Sequence, residues 1–206
     1  PGGRDGAYTV PASVTSIEIG AFYGCARLAS LTIPRNVTAI RAAAFGGCTG
    51  LTSVALSERL TKIEAGLFEG CVNLPSVTIP TTVTLVGSGA FKACTGLTAI
   101  TIPNAVTKIE DGAFEDCANL AGVTFGTKLA SIGSSAFARC AGLTAITIPN
   151  TVTKIGDAAF EDCANLASVT FGTKLATIGR SAFARCTSLT GITIPNTVTS
   201  LGNEVF

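Results

Sequence analysis

Leu143-Thr144-Ala145-Ile146-Thr147-Ile148-Pro149-Asn150-Thr151-Val152-Thr153-Lys154-Ile155-Gly156-Asp157-Ala158-Ala159-Phe160-Glu161-Asp162-Cys163-Ala164-Asn165 is one period of a sequence that repeats along its whole length. The cysteines show the step first: Cys25, Cys48, Cys71, Cys94, Cys117, Cys140, Cys163 and Cys186 follow one another at 23 residues, and none falls outside the series. The same step carries Phe22, Phe45, Phe68, Phe91, Phe114, Phe137, Phe160, Phe183 and Phe206, and a leucine series from Leu28 to Leu189. A fixed period of this length marks a stacked repeat, in which no unit closes a core alone and each covers the apolar edge of the next. Nine phenylalanine phases mean about nine coils. At ~4.8 Å per coil, the strand spacing of a sheet, they form a rod of roughly 40 Å.

Within a coil, Ile146-Thr147-Ile148 alternates apolar and polar in β-favouring residues and predicts a short strand. A proline usually follows at once (Pro34, Pro80, Pro103, Pro149, Pro195) and stops it, because proline cannot donate to the next ladder bond. Val152 and Ile155 turn two further apolar groups inward on a second extended segment. Phe160, Cys163 and Leu166 then recur at intervals of three, the spacing of a single helical or 3₁₀ turn with one face inward. The expectation is an α/β repeat solenoid of short parallel strands joined by brief helical or 3₁₀ turns. No linker or shift in composition breaks the series, so residues 1–206 read as a single domain. Residues 103–148 and 149–194 match at 37 of 46 positions, a duplicated block of two coils.

Composition limits the function. Of 206 residues, 47% are apolar and 13% charged, about half the usual share of charge. Fourteen Lys and Arg against thirteen Asp and Glu leave a net charge of +1, which gives no overall field to attract nucleic acid. Histidine and tryptophan are absent, so the commonest general base and metal ligand is missing, as is the side chain most favoured as a binding hot spot. No stretch approaches the roughly 20 apolar residues of a membrane span, so direct membrane insertion is not expected.

The Leu-x-x-Ile-x-Ile-Pro strand, the Val-Thr-x-Ile segment and the Ala-Phe-x-x-Cys-x-x-Leu turn together resemble the BspA-like leucine-rich repeat of bacterial and protist surface proteins. The resemblance covers the whole chain. Departures are mild: Ser57, Gly126 and Gly172 take the proline place, and Phe125 and Phe171 take the last strand aliphatic. The resemblance implies a right-handed leucine-rich-repeat solenoid with a parallel sheet on one face, used for adhesion or protein binding at the cell surface or after secretion, with no catalytic apparatus. A structural subunit or spacer within a larger assembly is the alternative. The chain also reads as a fragment of a longer solenoid, since Asp5 stands where the next coil has Leu28 and Phe206 precedes the next expected cysteine.

Several side-chain series are candidates for chemistry. The cysteines lack Cys-x-x-Cys pairs, and a straight ladder of thiols cannot surround a tetrahedral ion, so free buried thiols are expected and no metal or other cofactor. Asp116, Arg139, Asp162 and Arg185 fall in one column and predict a ladder of alternating charge. Lys62, Lys108 and Lys154 share another, with Lys128 and Lys174 in a nearby column of the alternate coils. Together these lysines form a basic ridge for an acidic protein or other macromolecular partner. Nucleic acid is not expected, because no exposed aromatics interleave with the lysines. The strand face offers Thr101, Thr124, Thr147 and Thr170 in one file, as a broad contact surface or, if flat and regular, a match to a crystal lattice such as ice.

Overall fold

Each coil contributes two extended segments because β-branched and polar residues alternate twice before the phenylalanine is reached. In a computed structural model that describes residues 6–206, these segments pair in parallel with their counterparts one coil away, at a step of 23 residues. Asp5 lies outside the described residues. The front segments are Gly6–Thr9, Leu28–Thr32, Ser53–Ala55, Ala99–Thr101, Gly122–Thr124, Ala145–Thr147 and Ser168–Thr170. The second segments run from Ser16–Ile17 and Ala39–Ile40 through Lys62–Ile63 to Ser200–Leu201. From one coil, Ile146, Ile148, Val152, Ile155, Phe160, Cys163 and Leu166 all enter a single core that continues through the stack.

The second segments make the longer sheet. Seven of them, beginning at Lys62–Ile63 and ending at Ser200–Leu201, form one unbroken parallel ladder. The front segments instead divide into sheets of three, two and two strands, so the single sheet expected on one face is replaced by two strand-bearing faces. On the front, coils associate as couples: the Ile102 N–H donates to the Thr124 carbonyl at 2.8 Å and the Ile148 N–H to the Thr170 carbonyl at 2.8 Å. Phe125 and Phe171 stand where the flanking coils have isoleucine, and their rings meet Phe137 and Phe183 edge-on at 5.8 Å. The front ladder is interrupted beyond Ala55, Thr124 and Thr170.

No helix occurs among the described residues, so the expected helical or 3₁₀ turn is corrected to a run of tight turns and the fold is an all-β solenoid. The reason is visible at Ala158 and Asp162, whose φ values of 54° and 58° are left-handed and cannot continue a right-handed helix. These reversals aim alternate N–H groups along the rod. Ala158, Phe160 and Asp162 donate to Arg180, Ala182 and Ala184 of the next coil at 2.7, 2.8 and 2.9 Å. Glu161, Cys163 and Leu166 donate instead to the carbonyls three residues back, at 3.0, 3.3 and 2.9 Å. Even the turn region is therefore hydrogen-bonded from coil to coil. Among the described residues no helix is long and apolar enough to cross a membrane.

The phenylalanine file runs through the core with ring centroids 5.1 Å apart and planes within 7° at Phe91–Phe114–Phe137, close to the coil spacing. Toward the N-terminus the rings tilt, reaching 42° at Phe22–Phe45. Beside it runs the cysteine file, free of disulfides, with Cys25 half-buried and the other seven buried. Each buried thiol donates to the carbonyl of the phenylalanine 26 residues earlier: Cys140 to Phe114 at 3.2 Å, Cys163 to Phe137 at 3.1 Å. That carbonyl already accepts an N–H within its own coil, as Phe114 does from Cys117 at 3.2 Å. Cysteine fits because it is a small apolar side chain that still carries a weak donor.

Burial pushes the thiols of Cys71, Cys117 and Cys163 up to about 12 and those of Cys48 and Cys186 to about 11, and those of Cys94 and Cys140 rise as well. In an unfolded chain they ionise near pH 9. Their contribution to stability is therefore whole below pH 9 and is lost as pH climbs toward about 12, at about 1.4 kcal/mol per thiol per pH unit. Melting followed by circular dichroism is expected to give a level Tm from pH 6 to 8 and a steep fall above 9. A Tm that stays level to pH 11 rejects this account of the cysteine file.

Candidate functional site

Lys62, Lys108 and Lys154 each precede a buried isoleucine on the second segment, which turns the lysine outward. The register brings them into one file, Lys62–Leu85–Lys108–Ser131–Lys154, with all three lysines exposed. Lys128 and Lys174 are exposed in the tight turns that lead into Ser131–Ile132 and Thr177–Ile178. The two rows are three residues apart along the coil, and lysines within a row are two coils apart. At about 10 Å in either direction, mutual repulsion in water is small. Lys108 donates to Glu110 at 3.2 Å. Among the described residues Lys62, Lys128, Lys154 and Lys174 enter no ion pair.

The threonine file is built differently. Thr101 lies directly beside Thr124, and Thr147 beside Thr170, all exposed. Between Thr124 and Thr147 the front ladder breaks, and Ala55 interrupts the series nearer the N-terminus. The structure thus brings these four residues together as two pairs and not as one flat lattice. A shallow groove of about 560 Å³ opens on this face, lined by Ser76, Thr78, Thr101, Ile102, Thr124 and Phe125 among others, and no ionisable side chain borders it.

The charged column lies on the turn flank and is less symmetrical than a simple ladder. Each arginine reaches back one coil. Arg139 binds Asp116 through Nε at 2.5 Å and also Glu115. Arg185 binds Asp162 at 2.6 Å and Glu161 at 2.7 Å. No ion pair joins Arg139 forward to Asp162, so the column consists of two clusters, the first extended by Lys92 to Glu115 at 2.8 Å. The hydrogen bond from Arg139 holds the Asp116 carboxyl below the usual range, as Arg185 does for Asp162, while Arg139 itself is raised by Asp116 first and Glu115 second.

Backbone geometry adds what sequence reasoning missed. In the N-terminal coils this column holds Gly24, Gly47 and Gly70 at φ 69°, 68° and 71°. The same left-handed conformation persists at Asp116, Arg139, Asp162 and Arg185, with φ between 58° and 61°. A side chain there costs roughly 1–2 kcal/mol relative to glycine. The ion pairs therefore sit on strained backbone, and the glycines upstream were the available signal. No group of three metal-ligating side chains occurs among the described residues.

Parallel strands at a 23-residue step, an inward leucine, phenylalanine and cysteine series, and regular exposed files define a solenoid of leucine-rich-repeat type. A family model described as "BspA type Leucine rich repeat region" matches residues 7–121 and 84–206. The chain belongs to the BspA-type leucine-rich repeat family. It is similar to a leucine-rich repeat protein of Bacteroides ovatus at 31% identity and a TM-score of 0.90, covering 97% of this chain and 54% of that one. It is also similar to the T. pallidum leucine-rich repeat protein, at 28% identity and 0.64 over 89% of this chain and 77% of that one. A Eubacterium ventriosum leucine-rich repeat protein shares the fold at 24% identity and 0.72, over 98% of this chain and 64% of that one. Among curated proteins none is similar enough to match.

Replacing Arg139 separates strain from charge. Arg139→Ala removes the ion pairs and keeps the left-handed side chain, and is expected to destabilise by up to about 1 kcal/mol. Arg139→Gly removes the same pairs but relieves the backbone, and is expected to recover about 1 kcal/mol of that loss. Urea denaturation measures both. A glycine variant no more stable than the alanine variant removes the strain argument.

Proposed function

We propose that the chain is a noncatalytic interaction or adhesion module, at the cell surface or secreted, that presents an extended flank of the solenoid to a macromolecular partner. One observation carries the reading: polar side chains recur with the coil, so the exterior is a set of files, and the serine–carboxylate contacts among the described residues, Ser16 to Glu18 at 2.9 Å and Ser88 to Glu110 at 3.3 Å, are exposed surface hydrogen bonds. A catalytic residue has to differ from its structural counterparts in neighbouring coils. Long regular files suit contact with an extended partner. The buried thiols suit an exterior setting, because neutral, inaccessible cysteines do not enter disulfide exchange.

Of the two exposed faces, the lysine flank is the better contact surface. The threonine face is nearly uncharged and lacks the Tyr, Trp and Arg that usually anchor interfaces. The lysines supply charge at fixed spacing, which steers and registers an acidic partner. Adhesion of beads coated with the chain to intact cells and to matrix proteins tests the reading. Lys108→Glu with Lys154→Glu is expected to reduce adhesion about tenfold or more, and Thr147→Arg with Thr170→Arg to leave it within twofold. Loss in the threonine variant alone returns the contact to the front face. Adhesion no greater than that of uncoated beads rejects the module reading.

A further inference from the structure

We propose that the lysine flank is a track for a linear acidic polysaccharide carrying one carboxylate per sugar unit, laid along the axis of the rod. The proposal rests on the module reading above and names its partner. Its basis is the way charge is divided around the solenoid. Over residues 103–109, 126–132, 149–155 and 172–178 the chain carries Lys108, Lys128, Lys154 and Lys174 and no acidic residue. In the coils that contain these stretches, Glu115, Asp116, Glu161 and Asp162 lie on the turn flank and are engaged there by Arg139 and Arg185, Glu110 is taken by Lys108 at 3.2 Å, and Asp111 and Asp157 accept the Ser134 and Arg180 N–H groups at 2.8 Å. Three of the four lysines, Lys128, Lys154 and Lys174, have no ion-pair partner among the described residues.

The spacing selects the partner. One lysine occurs per coil, alternating between the second-segment row and the turn row, so the cations form a zigzag rising ~4.8 Å per charge and repeating at roughly 10 Å. A 1,4-linked uronate chain has the matching form, with one carboxylate per unit and successive carboxylates on alternate sides. An extended acidic peptide does not, since side chains on one face recur at about 6.8 Å and fall out of step with the coils. A duplex nucleic acid places phosphates every 3.4 Å along each strand, and the flank has no aromatic to stack on a base. Neutral donors also suit a sugar. Asn104 and Asn150 accept the Thr127 and Thr173 N–H groups at 3.0 Å through Oδ1, and their amide nitrogens have no partner among the described residues.

Fluorescence anisotropy with a labelled oligogalacturonate long enough to span four coils, in chelator and low salt, tests the proposal. Neutral dextran, monomeric galacturonate, polyglutamate, duplex DNA and anionic lipid vesicles are the comparators. The oligogalacturonate is expected to bind most tightly and to weaken steeply with added salt. Joint Lys108→Gln, Lys128→Gln, Lys154→Gln and Lys174→Gln replacement is expected to lower its affinity on the order of 100-fold, and Lys92→Gln on the turn flank to leave it unchanged. These lysines are exposed, so the variants retain the fold, which circular dichroism checks. Affinity for the uronate no greater than for dextran, parental affinity in the quadruple variant, or equal affinity for polyglutamate, DNA or vesicles overturns the assignment. If the uronate fails while bead adhesion persists and falls on Lys108→Glu with Lys154→Glu, only the polysaccharide is rejected. Failure of both removes the module reading as well.

Discussion

The hydrogen bond from a backbone N–H to the carbonyl of the neighbouring coil is the constraint on which the rest of this molecule depends. Around a single coil it recurs at several places: Thr153 to Ala130 at 2.9 Å, Gly156 to Ile132 at 2.9 Å, and Phe160 to Ala182 at 2.8 Å. Side chains bond along the same axis, toward the preceding coil. The Thr153 hydroxyl donates to Ala130 at 3.3 Å, the Cys163 thiol to Phe137 at 3.1 Å and the Asn165 amide to Ala141 at 2.8 Å. Many of the backbone groups that a strand or turn leaves open are met one coil away, as burial favours. Like residues are thereby forced into files, and every property of the surface becomes a property of a file.

Two kinds of coil alternate within this constraint, and the alternation carries the chemistry. Where Asn119 and Asn165 reach the coil before them, the coil between has Gly142, because a side chain there would lie within 2.8 Å of the Asn119 backbone. Where Pro103 and Pro149 end the front strand, the next coil has Gly126 and Gly172, whose backbones pass too close to the proline carbonyls for a Cβ. The lysines obey the same rule, moving between two rows from one coil to the next. Packing demands of coil couples thus set the spacing that the surface presents to a partner.

Much of this is legible from sequence, for definite reasons. The 23-residue step of Phe160, Cys163 and Leu166 and their equivalents requires an inward position in every coil, and all three are buried. The lysine and threonine files follow from the same step. Turn geometry was not legible, because spacing by three at Phe160, Cys163 and Leu166 fits a helical turn as well as a tight turn. What decides is the left-handed backbone at Ala158 and Asp162, of which their own residue types give little warning and only the glycines upstream in their columns, such as Gly112 and Gly70, give a sign. The split of the front sheet was likewise hidden, since Ser76-Val77-Thr78 keeps the alternating pattern of the paired strands and yet joins no front sheet. The backward reach of Arg139 and Arg185 depends on side-chain direction, which column order does not contain.

If coil-to-coil bonding at a fixed step governs the structure, a whole block of two coils is removable and a partial one is not. Deleting residues 103–148 joins Ile102 to Pro149, which restores the junction between Ile102 and Pro103 found in the intact chain. Urea denaturation of that shortened chain is the most direct test. Nearest-neighbour stacking predicts a cooperative transition with a lower m-value in proportion to the surface lost, and an unchanged phenylalanine environment. A shortened chain that is unfolded in water, or that melts without cooperativity, would contradict the account.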